Sequence, residues 1–152
     1  MKITVAAVGR ARSGPEKDLF EHYSGRIRPA LALKEVEEKR PLPAGQMKKR
    51  EGELLLAAIP KDAHVIALDS GGRELDSRDL AEKLRRLSDD GVRQAAFIIG
   101  GAEGLDKAVL ARADLTISLG PMTWPHMLIR GMLAEQLYRA QCIQQGHPYH
   151  RE

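Results

Sequence analysis

Short apolar runs alternate with longer amphipathic segments along this chain, and the alternation limits the folds open to it. Four runs of five or six residues are mostly apolar: 3–8, 64–68, 95–99 and 115–119. Each is followed by a stretch with apolar residues at helical spacing. Strands and helices that alternate in this way are typical of an α/β fold. The sequence therefore predicts a mostly parallel sheet with helices on both faces.

Glycine, proline and capping residues set the expected limits of the other elements. Helices are expected over residues 15–28, 46–59, 76 or 77 to about 90, 106–111, and from Pro125 to about 145 or 146. Ser13 is the expected cap of the first helix and Pro29 its end. An edge strand is expected over 31–37, a loop over 38–45 and a turn over 69–72. Without repeats or linkers, residues 1–152 are expected to form one domain.

Composition indicates a soluble protein of the cytoplasm. Hydrophobic residues make up 43% and charged residues 30%, an ordinary globular balance, and no apolar run approaches the ~20 residues of a membrane span. The first residues read as a strand and lack a signal-peptide pattern. One cysteine, Cys142, suits a reducing compartment. The net charge of +3 permits a nucleic-acid partner without requiring one.

Three loops are the first candidates for a ligand site. They follow Leu68, Ile99 and Leu119, and ligands of open α/β sheets bind at the carboxyl ends of strands. The second loop, residues 100–104, is rich in glycine, but the chain has neither the dinucleotide fingerprint nor a phosphate loop. Such a ligand would be held by main chain and apolar contacts. The alternative, equally favoured by spacing alone, is that these glycines only form tight turns.

Two other groups of charged residues each fit two interpretations, one structural and one functional. Glu135 and Arg139 lie four residues apart on the last helix, which fits a surface ion pair as well as a functional pair. Basic clusters in the first half fit a solvated face or phosphate contacts: Arg10, Arg12, Lys39, Arg40, Lys48, Lys49 and Arg50. The five histidines show no metal-ligand spacing on a helix, so no metal is expected.

The segment from His147 to Glu152 concentrates functional side chains. It holds two imidazoles, a phenol, a guanidinium and a carboxylate in six positions. Chain termini are usually the least ordered part of a domain and seldom carry such groups. These groups take protons, stack on bases and bind anions. The tail is therefore expected to form part of a site.

Four motifs, in order and with matching spacing, resemble the RlmH family of large-subunit ribosomal RNA methyltransferases, which belong to the SPOUT class. They occupy residues 97–105, 122–126, 135–140 and 147–152. The resemblance runs from end to end. It implies transfer of a methyl group from S-adenosylmethionine to N3 of a pseudouridine in 23S ribosomal RNA. It also implies a C-terminal trefoil knot, which general rules of chain topology would not predict, and a homodimer whose partner subunit completes each active site.

The resemblance also assigns roles to residues. Those implied to bind the cofactor are Leu68, Gly101, Gly120, Pro121, Met122, Thr123, Trp124 and Pro125. Those implied to act on the substrate are Glu135, Arg139, Tyr149, His150 and Arg151. A histidine titrates in the right range to accept the N3 proton, which makes His150 the candidate base. Arg139 or Arg151 would stabilise charge on the neighbouring carbonyl oxygens, and Tyr149 would stack on the base or hydrogen-bond its edge.

Modest net charge and the family resemblance together favour the assembled ribosome over free RNA as the substrate. Two other classes of function compete with this prediction. A nucleotide- or RNA-binding module without catalysis would bind RNA but not S-adenosylmethionine. A small-molecule methyltransferase would act on a metabolite and leave ribosomes unmodified. Neither explains why the resemblance extends to the last residues.

Overall fold

The computed structural model describes residues 1–151, and Glu152 of the tail motif lies outside this range. Its five strands are β1 (Lys2–Val8), β2 (Ala32–Val36), β3 (His64–Glu74), β4 (Gln94–Ile99) and β5 (Leu115–Ser118). Its five helices are α1 (Pro15–Ser24), α2 (Ala44–Ala58), α3 (Ser77–Asp89), α4 (Lys107–Arg112) and α5 (His126–Gln145). Strands and helices alternate throughout, as predicted.

The strands form one sheet in the order β2-β1-β4-β3-β5, and every pairing is parallel. β2 lies at an edge, as predicted. Alternate residues of β1 enter opposite cores: Val5 and Ala7 pack with α3 and α5, whereas Ala6 and Val8 pack with α2 and α4. This confirms a parallel α/β sheet with helices on both faces. The C-terminal knot stays a prediction. No helix within residues 1–151 is long and apolar enough to cross a membrane.

The limits of α1 and α2 differ from those predicted. α1 is capped by Gly14 and not by Ser13, without a side-chain hydrogen bond. It ends at Ser24, four residues early, because the Arg26 and Ile27 amide groups bond three residues back and tighten the chain into turns. α2 begins at Ala44 and shortens the expected loop, since Pro43 fits the position before a helix and accepts from the Met47 amide at 2.8 Å.

The predicted turn at residues 69–72 was wrong in one respect, because β3 does not end there. Leu68 and Arg73 both pair with Ile117 of β5, so the residues between them bulge out and the strand then resumes. Gly72 makes this possible. A Cβ at that position would lie 2.6 Å from the Ile117 carbonyl carbon. The bulge lies beside the cavity described below, which Asp69 and Ser70 line.

Candidate active site

A cavity of about 720 Å³ opens at the carboxyl edge of the sheet. The loops that follow β4 and β5, the bulge of β3 and the first turn of α5 enclose it. The structure thus brings the three predicted loops together. Seven of the predicted cofactor-binding residues line this cavity: Leu68, Gly101, Gly120, Met122, Thr123, Trp124 and Pro125. Pro121 belongs to the same loop but is not among the described lining residues, and it is exposed.

The glycine-rich loop after β4 is a tight turn. The Gly104 amide donates to the Gly101 carbonyl at 3.1 Å, and these two residues form a small antiparallel bridge. A Cβ at Gly100 would lie 2.8 Å from the Gly104 carbonyl oxygen. At Gly101 a Cβ would lie 3.0 Å from Val8 Cγ1. The glycines are therefore needed for the turn itself, and the backbone facing the cavity stays uncovered.

The loop after β5 is braced by its own hydrogen bonds. Ser118 Oγ accepts from the Gly120 amide at 3.1 Å and donates to the Gly120 carbonyl at 3.2 Å. The Trp124 indole N–H donates to the Leu119 carbonyl at 3.3 Å. Gly120 has a φ of 100°, a conformation that favours glycine. The loop is thus curled around the cavity, and Met122, one of its lining residues, is 71% exposed.

Glu51 of α2 is a functional candidate that sequence reasoning missed. Its Oε2 would lie 3.2 Å from a Cβ at Gly101, so the carboxyl group sits against the back of the glycine-rich loop. Its Oε1 is buried and has no hydrogen-bond partner among the described residues. Burial, and secondarily the charge of Glu103, raises the pKa of Glu51. No motif marks an isolated glutamate on a helix, and only the fold places it here.

The substrate residues predicted from the last motifs form a second cluster, at the other end of α5. Glu135 Oε1 accepts from Arg139 Nε at 3.0 Å, from Arg139 Nη2 at 2.5 Å and from the Tyr149 hydroxyl at 2.9 Å. Arg139 Nη1 lies 3.2 Å from His150 Nδ1. The Arg139 guanidinium also stacks 4.8 Å from the centroid of the Tyr149 ring. We call Glu135, Arg139, Tyr149 and His150 the tail cluster.

These contacts define the hydrogen-bonding roles of two of its members. Arginine only donates, so a hydrogen bond between these two groups uses His150 Nδ1 as the acceptor. Burial raises the pKa of Tyr149 well above its ordinary value, and its hydrogen bonds with Tyr23 and Glu135 add to the effect. The phenol is therefore a hydrogen-bond donor at neutral pH. The tail cluster thus places an imidazole and a neutral phenol around an ion pair.

The tail cluster does not line the cavity. Glu135 lines a neighbouring groove of about 600 Å³ that shares Ser118, Leu119 and Gly120 with the cavity. Within α5, Glu135 lies roughly 14 Å of helix rise beyond His126, a cavity residue. Arg151, the fifth predicted substrate residue, is exposed. The structure thus assembles the two predicted sets of residues separately.

A second arginine of α5, Arg130, was also missed from the sequence. Its side chain is 2% exposed and its Nη1 lies 2.6 Å from Glu35 Oε2. Nη2 donates to the Val8 carbonyl at 3.0 Å and to the Gly9 carbonyl at 2.8 Å. Although burial opposes it, hydrogen bonds from the Ala11 amide and Arg130 hold the pKa of Glu35 below its usual range. Arg130 thereby ties α5 to the end of β1.

Comparison with known proteins assigns this geometry to a family. A family model described as "Predicted SPOUT methyltransferase" matches residues 1–150. Two similar proteins are both named "Ribosomal RNA large subunit methyltransferase H". The one from Paramagnetospirillum magneticum is 57% identical and the one from Rhodospirillum rubrum is 58% identical, in each case over 99% of both chains.

Solved structures share the fold at low sequence identity. A "probable methylase family protein" from Haemophilus influenzae superposes with a TM-score of 0.59 at 12% identity, over 95% of this chain and 66% of that one. A "Probable Methyltransferase" from Bordetella pertussis gives 0.58 at 16% identity, over 91% and 95%.

The chain therefore belongs to the SPOUT methyltransferases and, among them, to the family whose members are named ribosomal RNA large subunit methyltransferase H. This confirms the family resemblance and the enzyme class that it implied. It favours an enzyme over the non-catalytic RNA-binding module.

Proposed function

We propose that this methyltransferase transfers a methyl group from S-adenosylmethionine to N3 of a pseudouridine in 23S ribosomal RNA. The observation that carries the proposal is 57–58% identity, over 99% of both chains, with two proteins named for the large-subunit RNA. The tail cluster supports it, because its groups are suited to a nucleobase. Guanidinium, imidazole and phenol can hydrogen-bond a base edge or stack on its face.

S-adenosylmethionine fits the cavity. The volume of about 720 Å³ lies within the usual range for small-molecule sites. Leu68 and Trp124 offer apolar contact, and the uncovered backbone of the loop around Gly101 lets a flat ring approach closely. Glu51 lies behind the same loop, where its buried Oε1 can accept a hydrogen bond from the loop. When bound, S-adenosylmethionine supplies a methyl group already activated on a sulfonium sulfur.

The task of the protein is to orient the base and to remove its N3 proton. With S-adenosylmethionine held by the cavity loops, the cofactor would supply the methyl group to N3, and the protein would have to accept the proton that N3 loses. We propose that His150 Nδ1 accepts the N3 proton. In the described structure this atom is in contact with Arg139 Nη1. Arg139 Nη1 would turn to a carbonyl oxygen of the base, stabilise the charge that develops there and release Nδ1 to accept the proton.

Tyr149 and Glu135 hold this arrangement in place. The Tyr149 hydroxyl lies 2.9 Å from Glu135 Oε1 and 3.3 Å from the Tyr23 hydroxyl, so its ring is anchored beneath the Arg139 guanidinium. Arg151, exposed beside the cluster, is free to bind a phosphate or a carbonyl oxygen. In this proposal Glu135 and Tyr149 orient Arg139, and His150 carries the proton.

A homodimer reconciles the two separate clusters. Within one subunit the tail cluster lies along α5 from the cavity, so we propose that the tail of one subunit completes the cavity of its partner. The substrate would be the assembled ribosome of the cytoplasm, where a site built from two subunits can recognise shape.

Size-exclusion chromatography with light scattering tests the dimer. Mixing a subunit damaged at Gly101 with one damaged at Arg139 should restore activity at one of the two sites.

The deciding experiment follows labelled methyl from S-adenosylmethionine into ribosomes that lack this modification. A parallel sample contains ribosomes whose target uridine was never isomerised. Label in the pseudouridylated ribosomes alone is the expected result. No label in either, with the cofactor shown to bind by calorimetry, would favour a small-molecule substrate. Full activity of His150→Ala across the pH range would remove His150 as the base.

A further inference from the structure

The carboxyl edge of the sheet carries a concentration of positive charge beside the cavity. Two segments form it: residues 9–13, between β1 and α1, and residues 37–50, from the end of β2 into α2. We call these two segments the basic rim. Because all strands are parallel, both loops emerge at the same edge as the cavity loops.

Contacts tie both segments to the cavity wall. A Cβ at Gly9 would lie 3.9 Å from Nε2 of His126, and His126 lines the cavity. The second segment leads directly into Glu51, whose Oε2 would lie 3.2 Å from a Cβ at Gly101, another lining residue. The basic rim is therefore directly adjacent to the cavity.

The charge of the basic rim is not balanced locally. It contains seven basic residues and only two acidic ones, whereas the whole chain has a net charge of +3. Glu38 accepts hydrogen bonds from both Arg40 and Arg50, which lowers its pKa to about 2, and Arg50 Nη1 also lies 3.2 Å from Glu53 Oε2. Arg10 Nε lies 3.5 Å from Glu37. Within residues 1–151, Arg12, Lys39, Lys48 and Lys49 take part in no ion pair.

We propose that the basic rim binds the phosphates of ribosomal RNA on either side of the target nucleotide. This rests on the proposed function, since it assumes an RNA substrate. A base embedded in a folded RNA must leave its stack to reach a methyl donor inside a cavity. The backbone that enters and leaves the extruded nucleotide then crosses the cavity mouth. Cations placed there neutralise phosphates and release counterions, which contributes affinity without sequence preference.

Two triple variants, each of which removes three positive charges, test the basic rim. The rim variant is Arg12→Ala/Lys39→Ala/Lys49→Ala, which removes three exposed cations. The control is Lys2→Ala/Lys61→Ala/Arg93→Ala, which removes three exposed cations from the opposite, amino edge of the sheet. Affinity for unmodified ribosomes is measured from low to high salt, together with methyl transfer and S-adenosylmethionine affinity by calorimetry. If the triple variant does not fold, single Gln substitutions at the same three positions replace it in these measurements.

The rim variant should bind ribosomes roughly 10- to 100-fold more weakly at physiological salt, because about three fewer phosphates are neutralised. The slope of log affinity against log salt should fall by about one for each phosphate that no longer meets a cation. Affinity for S-adenosylmethionine should not change, and the control should match the wild type. Equal ribosome affinity and slope in rim variant and control would overturn the proposal.

The design separates this proposal from the proposed function. If the wild type binds ribosomes without methylating them and the rim variant binds more weakly than the control, the basic rim stands and the pseudouridine assignment falls. If the wild type methylates ribosomes and the two variants behave alike, the reverse holds. A wild type that does not bind ribosomes at all overturns both.

Discussion

The two halves of α5 carry one buried and one accessible arginine cluster. In the first half, Arg130 bonds to Glu35 and to the carbonyl groups of Val8 and Gly9, and its side chain is 2% exposed. In the second half, Arg139 bonds to Glu135 and contacts His150 and the Tyr149 ring, and its side chain is 24% exposed. Both arginines pair with a carboxylate, but the other partners of Arg130 are main-chain carbonyls and those of Arg139 are side chains.

The kind of partner separates a structural role from a functional one. The Val8 and Gly9 carbonyls belong to the main chain at the end of β1, so the donors of Arg130 Nη2 stay engaged, and its Nε, which has no hydrogen-bond partner within residues 1–151, is buried. His150 comes from a segment beyond the end of α5 and contacts only Nη1 of Arg139, so we expect Nη1 to be the donor that a base can take over. The comparison therefore predicts that substitutions at Arg130 affect folding, whereas those at Arg139 affect turnover.

Arg130→Met should give the largest effect. It leaves the Glu35 carboxylate without its cation beside the end of β1, and removing one partner of a buried pair costs about 3–5 kcal/mol. The free energy of unfolding from urea titration measures the loss. Arg130→Met/Glu35→Leu should recover part of it, because the double variant leaves no unpaired charge. A single variant as stable as the wild type would contradict the structural role.

Arg139→Ala should come next, with an effect on catalysis instead of folding. Loss of a donor that stabilises developing charge lowers kcat by roughly 10²- to 10³-fold. The free energy of unfolding should change by no more than about 1 kcal/mol, since the Arg139–Glu135 pair is partly exposed. Arg139→Lys is the matched control and should recover little activity, because an ammonium group cannot contact Glu135 and His150 in the same fork. Equal losses of stability at Arg130 and Arg139 would remove the distinction.

The sequence predicted more of the accessible cluster than of the buried one. Glu135 and Arg139 lie one helical turn apart, which fitted a surface ion pair as well as a functional pair, and Tyr149 and His150 follow in a dense motif. The family resemblance then implied a substrate role for all four. Arg130 stands alone among apolar neighbours, and its partner Glu35 lies 95 residues away in the chain. The bulge of β3 and the position of Glu51 depend in the same way on pairing between distant segments. Periodicity finds elements and motifs, whereas these contacts require the packed sheet.

Gly131→Ala tests whether the two clusters are mechanically connected. Gly131 lies between them on α5, and a Cβ there would be 2.6 Å from Leu19 Cδ2 and 2.8 Å from Leu19 Cγ of α1. Overpacking of this kind costs about 1–3 kcal/mol. Because α1 also carries Tyr23, which contacts Tyr149, both stability and kcat should fall. Gly45→Ala, where a Cβ meets open space, should change neither kcat nor cofactor affinity.

Tyr149→Phe should have the smallest effect and refines the role of the accessible cluster. It removes the hydroxyl bonds to Glu135 and Tyr23 but keeps the ring beneath Arg139, which should lower stability by about 0.5–1.5 kcal/mol. Because the folded pKa of Tyr149 is raised, the wild type holds this stabilisation fully below the unfolded pKa of about 10 and loses it as pH rises toward the folded pKa. Urea titrations of both proteins from neutral pH to about pH 11 measure the difference, which should be constant up to about pH 10 and shrink above it. A difference that changes between about pH 7 and pH 9 would show that the phenol ionises in the folded protein, and Tyr149 would then compete with His150 as the proton acceptor.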